Sequence, residues 1–356
     1  MTEKTMKAIV KAKPGPGLTM TDVPVPTFGP TDALIRIRAV GICGTDLHIE
    51  TWDEWAASRL KPPVVVGHEF VGEVVQLGRD VGHIKPGTRV SAEGHITCGH
   101  CPFCRTGQGH ICQTVRIIGI DRDGCFADYL VMPADNLWPV PDSIPDHYAA
   151  VFDPLGNAMH TVMEAPPAGK SVLVMGAGAI GLFAVAIAKA AGAAMIAAVE
   201  PNAMRRDLAK QVGADLVLDP NRDNVEEAFH RETGGMGPEI VLEMSGNVRG
   251  FREAFRLLRN GGHICLLGIP PGEVPLRWAD DVIFKGITIH GISGRRMYDT
   301  WYQCQTFLRH NRLTIDPLIT HILPARDFQQ GFDLLKAGKA AKVVLKWGEN
   351  NAKSVP

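Results

Sequence analysis

The sequence has no long block of like charge and no apolar run of membrane-spanning length. Its 37 Lys and Arg residues nearly balance 38 Asp and Glu, which leaves a net charge of −1. A nucleic acid or an anionic membrane recognised through bulk charge is therefore not expected as a partner. The apolar segments contain glycine and stop at charged residues well short of a membrane span. The first seven residues lack the apolar core of a signal peptide, which predicts a cytoplasmic protein.

Internal repeats (apart from alternating strand and helix patterns), low-complexity tracts and long linkers are also absent. The 356 residues, 45% hydrophobic and 21% charged, are enough for two globular domains of ordinary size. In a cytoplasmic protein the 8 cysteines would be reduced thiols. Metal ligation or core packing then suits them better than disulfide bonding.

A short apolar stretch contains His68 and Glu69 side by side. Neighbouring side chains in a strand point to different faces, so both can face one ion only if the backbone bends there. Gly67 and Gly72 would supply that freedom. Histidine and carboxylate groups bind zinc, and Cys43 upstream offers a third ligand. The alternative is a half-buried cysteine with a solvated His–Glu pair.

A second candidate site is a short loop that contains half of the cysteines. Cys98, Cys101, Cys104 and Cys112 follow the pattern Cys-x2-Cys-x2-Cys-x7-Cys. Four closely spaced thiolates suit one closed tetrahedral zinc site, which is structural because it has no open position. An iron–sulfur cluster is the main alternative. Core packing is favoured for three further cysteines: Cys125, Cys265 and Cys304.

The segment before residue 40 alternates between short apolar runs and Pro or Gly, which predicts a small β-rich domain. After residues 138–141 the composition changes to strands that alternate with helices, which predicts a doubly wound parallel sheet. The predicted strands cover residues 171–175, 194–199, 216–218, 240–246, 263–269 and 286–292. Two helical segments and a closing strand at 342–347 would return to the first domain.

The first of these strands runs into Gly176-Ala177-Gly178-Ala179-Ile180-Gly181 and then an alanine-rich helix. This Gly-x-Gly-x-x-Gly motif has the required strand before it and helix after it. Gly176 and Gly178 would allow a tight turn and the close approach of a pyrophosphate, and Gly181 would let the helix lie against the sheet. The motif predicts a dinucleotide site.

The next strand ends at Glu200, close to the spacing expected for the acid that binds the adenosine ribose. A carboxylate accepts hydrogen bonds from the ribose hydroxyls and repels a 2′-phosphate, so NAD is favoured over NADP. Arg205 and Arg206 could weaken that preference.

These features together predict one chemistry. Zinc acts as a Lewis acid that lowers the pKa of an alcohol, and a nicotinamide accepts the hydride. Thr45 and His48 are the right residue types to carry the proton outward. The alternative for them is a capping threonine and a surface histidine.

The sequence resembles the zinc-dependent medium-chain alcohol dehydrogenase superfamily, from Lys7 to Trp347. Its general motifs include Gly67-His68-Glu69 and the four-cysteine loop. Two more selective segments, residues 52–55 and 93–101, resemble the branch that acts on L-threonine. The resemblance implies a GroES-like β-rich catalytic zinc domain at 1–156, completed by 294–356, and a Rossmann NAD-binding domain at 157–293.

The resemblance also implies residue roles. One catalytic zinc would be bound by Cys43, His68 and Glu69, and one structural zinc by Cys98, Cys101, Cys104 and Cys112. Asp153 would be a further zinc ligand or a relay group beside Thr45 and His48. The implied NAD contacts, besides the glycine loop, are Ile180, Glu200, Arg205, Leu267, Gly268, Ile269, Ile292 and Ser293.

The implied reaction oxidises the 3-hydroxyl of L-threonine to 2-amino-3-oxobutanoate. The product would decarboxylate or pass to 2-amino-3-ketobutyrate CoA ligase, and the enzyme would be a homotetramer. Arg295 for the substrate carboxylate and His95 or an acid for its amine are expectations from the same resemblance. The competing hypotheses are a polyol or 2,3-butanediol dehydrogenase of the same superfamily and a non-catalytic NAD(P)-binding protein.

Overall fold

The computed structural model describes residues 4–348, which divide into two compact units. The first unit comprises the described residues up to Asp153 and from Ile319 onward, and the second runs from Pro154 to Leu318. The sequence-based boundaries, 156/157 and 293/294, have the same discontinuous arrangement. They differ from this division by a few residues at the first boundary and by residues 294–318 at the second.

The first unit consists mainly of short strands. Its elements before the second unit are β1 (Thr5–Lys11), β2 (Thr19–Pro24), β3 (Asp32–Ile42), α1 (Gly44–Thr51), α2 (Glu54–Arg59), β4 (Val64–Val65), β5 (Glu69–Leu77), β6 (Arg89–Ala92), β7 (His95–Ile96), α3 (Pro102–Arg105), β8 (Arg116–Ile117), β9 (Tyr129–Pro133), β10 (Leu137–Pro139) and α4 (Asp146–Ala149).

The second unit alternates strands and helices. Its elements are α5 (Phe152–Glu164), which begins at the boundary, then β11 (Ser171–Met175), α6 (Ala179–Ala190), β12 (Met195–Val199), α7 (Ala203–Gln211), β13 (Leu216–Leu218), α8 (Val225–Thr233), β14 (Ile240–Glu243), α9 (Val248–Leu257), β15 (His263–Leu266), β16 (Thr288–Gly291) and α10 (Asp299–Arg309). The chain then returns to the first unit through β17 (Ile319–Pro324), α11 (Phe328–Lys336) and β18 (Lys342–Lys346).

The main sheet of the first unit has the order β10-β6-β5-β3-β18-β17, with β9 also paired to β3. The long strand β3 pairs antiparallel with β5 on one side and with β18 on the other. Its buried side chains, with Phe70, Phe126 and Phe332, form the core of this unit. The closing strand at 342–347 was predicted to return to the first domain, and it does so as β18.

The second unit contains six parallel strands in the order β13-β12-β11-β14-β15-β16. Successive strands are added on one side from β11 to β13 and on the other side from β14 to β16. The carboxyl ends of β11 and β14 are therefore the topological switch point. Asn202, Asn224 and Asn247 cap helices α7, α8 and α9 by accepting backbone N–H groups. The predicted α/β fold class, a β-rich domain plus a doubly wound sheet, is confirmed.

Two details differ from the expectations. Gly67 has the positive φ of +92° that bends the backbone before β5, but Gly72 lies inside β5 without one. Gly72 is needed instead for close packing, because a Cβ there would lie 2.5 Å from Ile35 Cγ2 and 2.6 Å from Arg36 O. In addition, β17 was not predicted, since Ile319–Pro324 lies between the two predicted helices without a clear alternation. No helix within residues 4–348 combines the length and apolar character needed to cross a bilayer.

Candidate metal sites and dinucleotide pocket

The four-cysteine loop lies between β7 and β8, which pair antiparallel and close its base. The Sγ–Sγ distances are 3.5 Å for Cys101–Cys104, 3.6 Å for Cys112–Cys98, 3.9 Å for Cys98–Cys104 and 4.0 Å for Cys101–Cys112. Four sulfurs held at about 2.3 Å from one zinc ion stand roughly 3.8 Å apart. The spacing therefore fits one tetrahedral ion, and it leaves no room for the several iron atoms of a cluster.

Backbone amides favour the thiolate form of Cys98 and Cys101, whereas burial raises the pKa of Cys104 to about 11. The N–H groups of Cys98 and Cys101 point to Cys112 Sγ and Cys98 Sγ, each at 3.4 Å. The backbone N–H groups of His100 and Cys101 lower the pKa of Cys98 to about 6. All four thiols are free rather than disulfide-bonded. The loop is thus suited to bind a cation without the help of any other segment.

The second candidate site gathers Cys43, His68 and Glu69, whose ligand atoms lie within 4.8 Å of one another. Cys43 follows β3 and is the N-cap of α1, His68 follows the bend at Gly67, and Glu69 begins β5. The site is buried, with His68 at 7% and Glu69 at 1% exposure. His68 Nδ1 has no hydrogen-bond partner in the described residues. A buried, unpartnered nitrogen beside a thiol and a carboxylate fits a zinc ion.

Two charged residues that the sequence did not indicate surround this site. Lys342 Nζ lies 2.6 Å from Glu69 Oε2 and donates to Ile42 O at 2.8 Å. Asp46 is fully buried, accepts the Cys43 N–H at 2.9 Å and lies 3.9 Å from His68 Nδ1. Burial opposes protonation of His68, but Cys43 and the carboxylates of Asp46 and Asp153 raise its pKa to about 10.

The predicted relay residues occupy different parts of this region. Thr45 Oγ1 lies 3.8 Å from Cys43 Sγ, so it borders the site directly. His48 is exposed on α1, and its Nδ1 lies 2.5 Å from Asp53 Oδ2. Asp153 is buried at 8% exposure, and its charge raises the pKa of His68. The structure thus brings Thr45 and Asp153 close to the candidate metal site and leaves one nitrogen of His48 free of Asp53.

The glycine motif forms the turn between β11 and α6. Gly176 has a φ of +91°, and a Cβ there would lie 2.7 Å from Ser245 Cα. A Cβ at Gly181 would lie 2.0 Å from Gly176 O, so this position must be small for the turn to close. Gly178 is the N-cap of α6 and faces open space, which leaves its helix terminus accessible to a pyrophosphate.

A cavity of about 450 Å³ opens beside this turn and is lined by residues including Gly176, Gly178, Glu200, Arg205 and Ser245. Glu200 is buried, and its carboxylate accepts the N–H of Ala177 at 2.9 Å and of Asn202 at 3.1 Å. These bonds fix the carboxylate at the end of β12, where a ribose would lie. Arg205 Nη1 is 3.9 Å from Glu200 Oε1.

The other predicted contacts follow β15, β16 and the start of α6. Ile180 is half-buried on α6, Leu267 and Gly268 directly follow β15, and Ile269 is 88% exposed. Ile292 is buried and Ser293 exposed after β16. These positions stand at the carboxyl edge of the parallel sheet.

Arg295 and His95, the residues predicted to bind the substrate, each contact a neighbouring side chain of the same unit. Arg295 is 1% exposed and its guanidinium lies 5.9 Å from the ring centroid of Trp301. His95 Nδ1 lies 2.9 Å from Glu93 Oε1, and Glu93 is fully buried.

Comparison with known proteins defines the family. Residues 29–142 match the alcohol dehydrogenase GroES-like domain, and residues 179–309 match the zinc-binding dehydrogenase domain. The chain therefore belongs to the zinc-type medium-chain alcohol dehydrogenases. It is an oxidoreductase whose cofactors are zinc and NAD.

Individual relatives narrow the comparison. A protein of Pyrococcus horikoshii named L-threonine 3-dehydrogenase is 47% identical over 346 residues, which cover 97% of this chain and 99% of the relative. One of the same name from Proteus mirabilis is 46% identical over 96% of this chain and 100% of the relative. The crystal structure of 2R,3R-butanediol dehydrogenase from Bacillus subtilis is 26% identical, with a TM-score of 0.88 over 96% of this chain and 100% of that one.

Proposed function

We propose that the chain oxidises the 3-hydroxyl of L-threonine to 2-amino-3-oxobutanoate and transfers the hydride to NAD. The observation that carries the proposal is the identity of 46–47% to proteins named L-threonine 3-dehydrogenase over nearly the whole chain. The relative that represents the butanediol alternative has only 26% identity. A thiol grouped with a buried imidazole and a buried carboxylate supports alcohol chemistry rather than mere dinucleotide binding.

The contacts of the site residues support the following roles. Cys43, His68 and Glu69 would hold the catalytic zinc, which would supply the Lewis acidity that polarises an alcohol oxygen and lowers its pKa. The four cysteines 98, 101, 104 and 112 hold the structural zinc. Thr45 borders the metal site and passes the substrate proton outward.

His48 receives that proton nearer the solvent. Its bond to Asp53 fixes the ring orientation and leaves Nε2 for the relay. Asp153 lies deeper and contributes negative charge at the metal site, as a ligand or as a relay group.

The cofactor site follows the sheet edge. Gly176, Gly178 and the amino terminus of α6 take the pyrophosphate, and Glu200 takes the ribose. Because Glu200 is fixed by two backbone N–H groups, its charge faces a 2′-phosphate and favours NAD over NADP. Arg205, the segment Leu267–Ile269 and Ile292-Ser293 complete the contacts, together with Ile180.

The test is NADH formation by the zinc-loaded enzyme with L-threonine, 2,3-butanediol and sorbitol in parallel. Buried polar groups that fit an ammonium and a carboxylate reject substrates that lack them, so we expect kcat/KM for L-threonine to be at least about 10²-fold higher. Metal content is measured on the same sample. Equal or faster oxidation of butanediol would contradict the substrate assignment and leave the zinc and NAD sites intact.

The assembly we propose is a homotetramer. Strand β16 is one edge of the parallel sheet, and large apolar side chains in it or before it are exposed: Trp278 at 61%, Ile283 at 67%, Phe284 at 77% and Ile289 at 38%. An open strand edge with apolar side chains favours pairing with a second copy. Light scattering should report four chains, and Phe284→Asp should reduce that number.

The cellular setting we propose is the cytoplasm, where the four free thiols of the zinc loop stay reduced. The β-keto acid product is unstable towards decarboxylation, so a 2-amino-3-ketobutyrate CoA ligase is the functional partner.

A further inference from the structure

Glu243 is a buried carboxylate at the switch point of the parallel sheet that the proposed roles leave unused. It is the last residue of β14, the strand between β11 and β15, and it is fully buried. Its Oε1 accepts the Ser245 N–H at 3.1 Å and a short hydrogen bond from Ser245 Oγ. Its Oε2 accepts the Gly246 N–H at 3.4 Å. All of these partners donate to the carboxylate.

This charge has no cationic partner. None of the ion pairs formed within residues 4–348 includes Glu243. Burial raises the pKa of Glu243, while the donors from Ser245 and Gly246 act in the opposite direction. A buried charge that is hydrogen-bonded but not neutralised acts over a longer range than one in water, because the surrounding dielectric constant is low.

The carboxylate lies directly beneath the loops that we assign to the cofactor. A Cβ on Gly268 would lie 2.3 Å from Glu243 Oε2, so the turn after β15 approaches the carboxylate too closely for any side chain at this position. Gly176 packs against Ser245, and Gly246 packs against the backbone of Ile269. The carboxylate of Glu243 therefore fixes the turn after β14, against which the turns after β11 and β15 pack.

We propose that Glu243 is a positioning residue whose buried negative charge makes this site bind oxidised NAD⁺ more tightly, relative to NADH, than a neutral residue would. The inference rests on the proposed cofactor site. When the nicotinamide ring accepts a hydride, which carries two electrons and one proton, it changes from a cation to a neutral ring. Because the adenosine ribose is assigned to the end of β12 and the pyrophosphate to the turn after β11, the nicotinamide extends towards the ends of β14 and β15. A fixed negative charge beneath those turns stabilises the cation and not the neutral form. It therefore favours capture of NAD⁺ and release of NADH.

The experiment measures Kd for NAD⁺ and for NADH on zinc-loaded enzyme by titration calorimetry. Glu243→Gln keeps the size and one acceptor oxygen but removes the charge. We expect the ratio Kd(NAD⁺)/Kd(NADH) to rise at least about threefold. A change of the same size in both Kd values would mean that Glu243 only shapes the turns, and it would overturn the proposal.

Two control variants separate charge from structure. Glu239→Gln removes a carboxylate that directly precedes β14, where it accepts the Ser171 N–H at 2.8 Å, and should leave the ratio unchanged. Ser245→Ala removes one donor but keeps the charge, so it should move both Kd values together. A ratio that rises equally in Glu239→Gln would overturn the assignment to Glu243.

If Glu243→Gln does not fold, the isosteric pair Glu243→Asp and Glu243→Asn gives the same comparison, and the ratio should be higher for Glu243→Asn. Equal ratios in that pair would overturn the proposal. Failure of the unmodified enzyme to bind either nucleotide would instead refute the proposed cofactor site. A finding that the enzyme prefers a substrate other than L-threonine would leave this test unaffected.

Discussion

The buried pair of Lys342 and Glu69 allows a quantitative prediction. Lys342 Nζ lies 2.6 Å and 2.7 Å from the two carboxylate oxygens of Glu69, and both side chains are almost fully buried. At an effective dielectric constant of about 20, unit charges at that separation attract by roughly 6 kcal/mol. Burial of the lysine costs several kcal/mol and offsets much of this. Burial opposes the charge of Lys342, yet the Glu69 carboxylate holds the pKa of Lys342 above its usual value.

The perturbation is Lys342→Met, which keeps an unbranched side chain of similar length and leaves Glu69 as an uncompensated buried charge. Removal of one partner of a buried pair costs about 3–5 kcal/mol. At roughly 2 °C per kcal/mol for a chain of this size, the apparent Tm of the chelated protein should fall by about 6–10 °C. Lys346→Met, an exposed lysine in the same strand, is the matched control and should change Tm by about 1–2 °C or less.

Calorimetry of zinc-loaded and chelated samples then tests the connection to the metal. If Glu69 faces the zinc ion, the ion supplies positive charge in place of Lys342, and the loss of Tm should be smaller with zinc. Adding Glu69→Gln to Lys342→Met in the chelated protein should recover part of the loss, since the orphaned charge is gone. A Lys342→Met effect no larger than that of the control would refute the reasoning. An effect that zinc does not alter would place Glu69 outside the metal site.

Four further outcomes are expected. Mild chelation should first remove the zinc at Cys43, His68 and Glu69 and abolish activity, while the zinc in the four-cysteine loop and the fold remain. Metal analysis and circular dichroism measure these two outcomes. A single zinc per untreated chain would contradict the prediction. Glu200→Ala should raise the ratio KM(NAD)/KM(NADP) by tenfold or more, because a hydrogen bond to a charged acceptor is worth roughly 1.5–3 kcal/mol. An unchanged ratio would mean that Glu200 does not contact the cofactor. Thr45→Ala and His48→Ala should retain zinc and bind NAD but lower kcat by about 10²-fold, and zinc loss would indicate a structural role instead. Burial and the neighbouring His290 lower the pKa of His263, so this imidazole binds a proton more readily in the unfolded chain than in the folded one. The free energy of unfolding should therefore fall as the pH drops below about 6.5. In denaturant titrations, His263→Asn should make that dependence on pH less steep.

Local patterns allowed most of the fold to be predicted. The zinc loop lies within fifteen consecutive residues, so its chemistry could be seen in the spacing alone. The strand, glycine turn and helix of the dinucleotide site are likewise contiguous, and the predicted strand 171–175 coincides with β11. These features depend on contacts between near neighbours in the chain.

The parts that were missed depend on distant contacts. Lys342 and Glu69 are 273 positions apart, and a lysine that begins a strand resembles a solvated edge residue. Asp46 has the spacing of an ordinary helix-capping acid, and only the approach of β5 reveals that it faces His68. Glu243 looks like a polar strand end until the turn at Gly268 is placed over it. No pattern within a short window carries that information.

The discontinuity of the first unit affects the order of events during biosynthesis. Glu69 leaves the ribosome long before β18, which lies beyond the entire second unit. At about 5–20 residues per second, the 273 positions to Lys342 correspond to roughly 14–55 s of translation. During that interval β3 lacks one neighbouring strand, and the carboxylate beside Cys43 and His68 has no ammonium partner. All strands of the second unit are synthesised before then, so its sheet can form before Lys342 reaches Glu69.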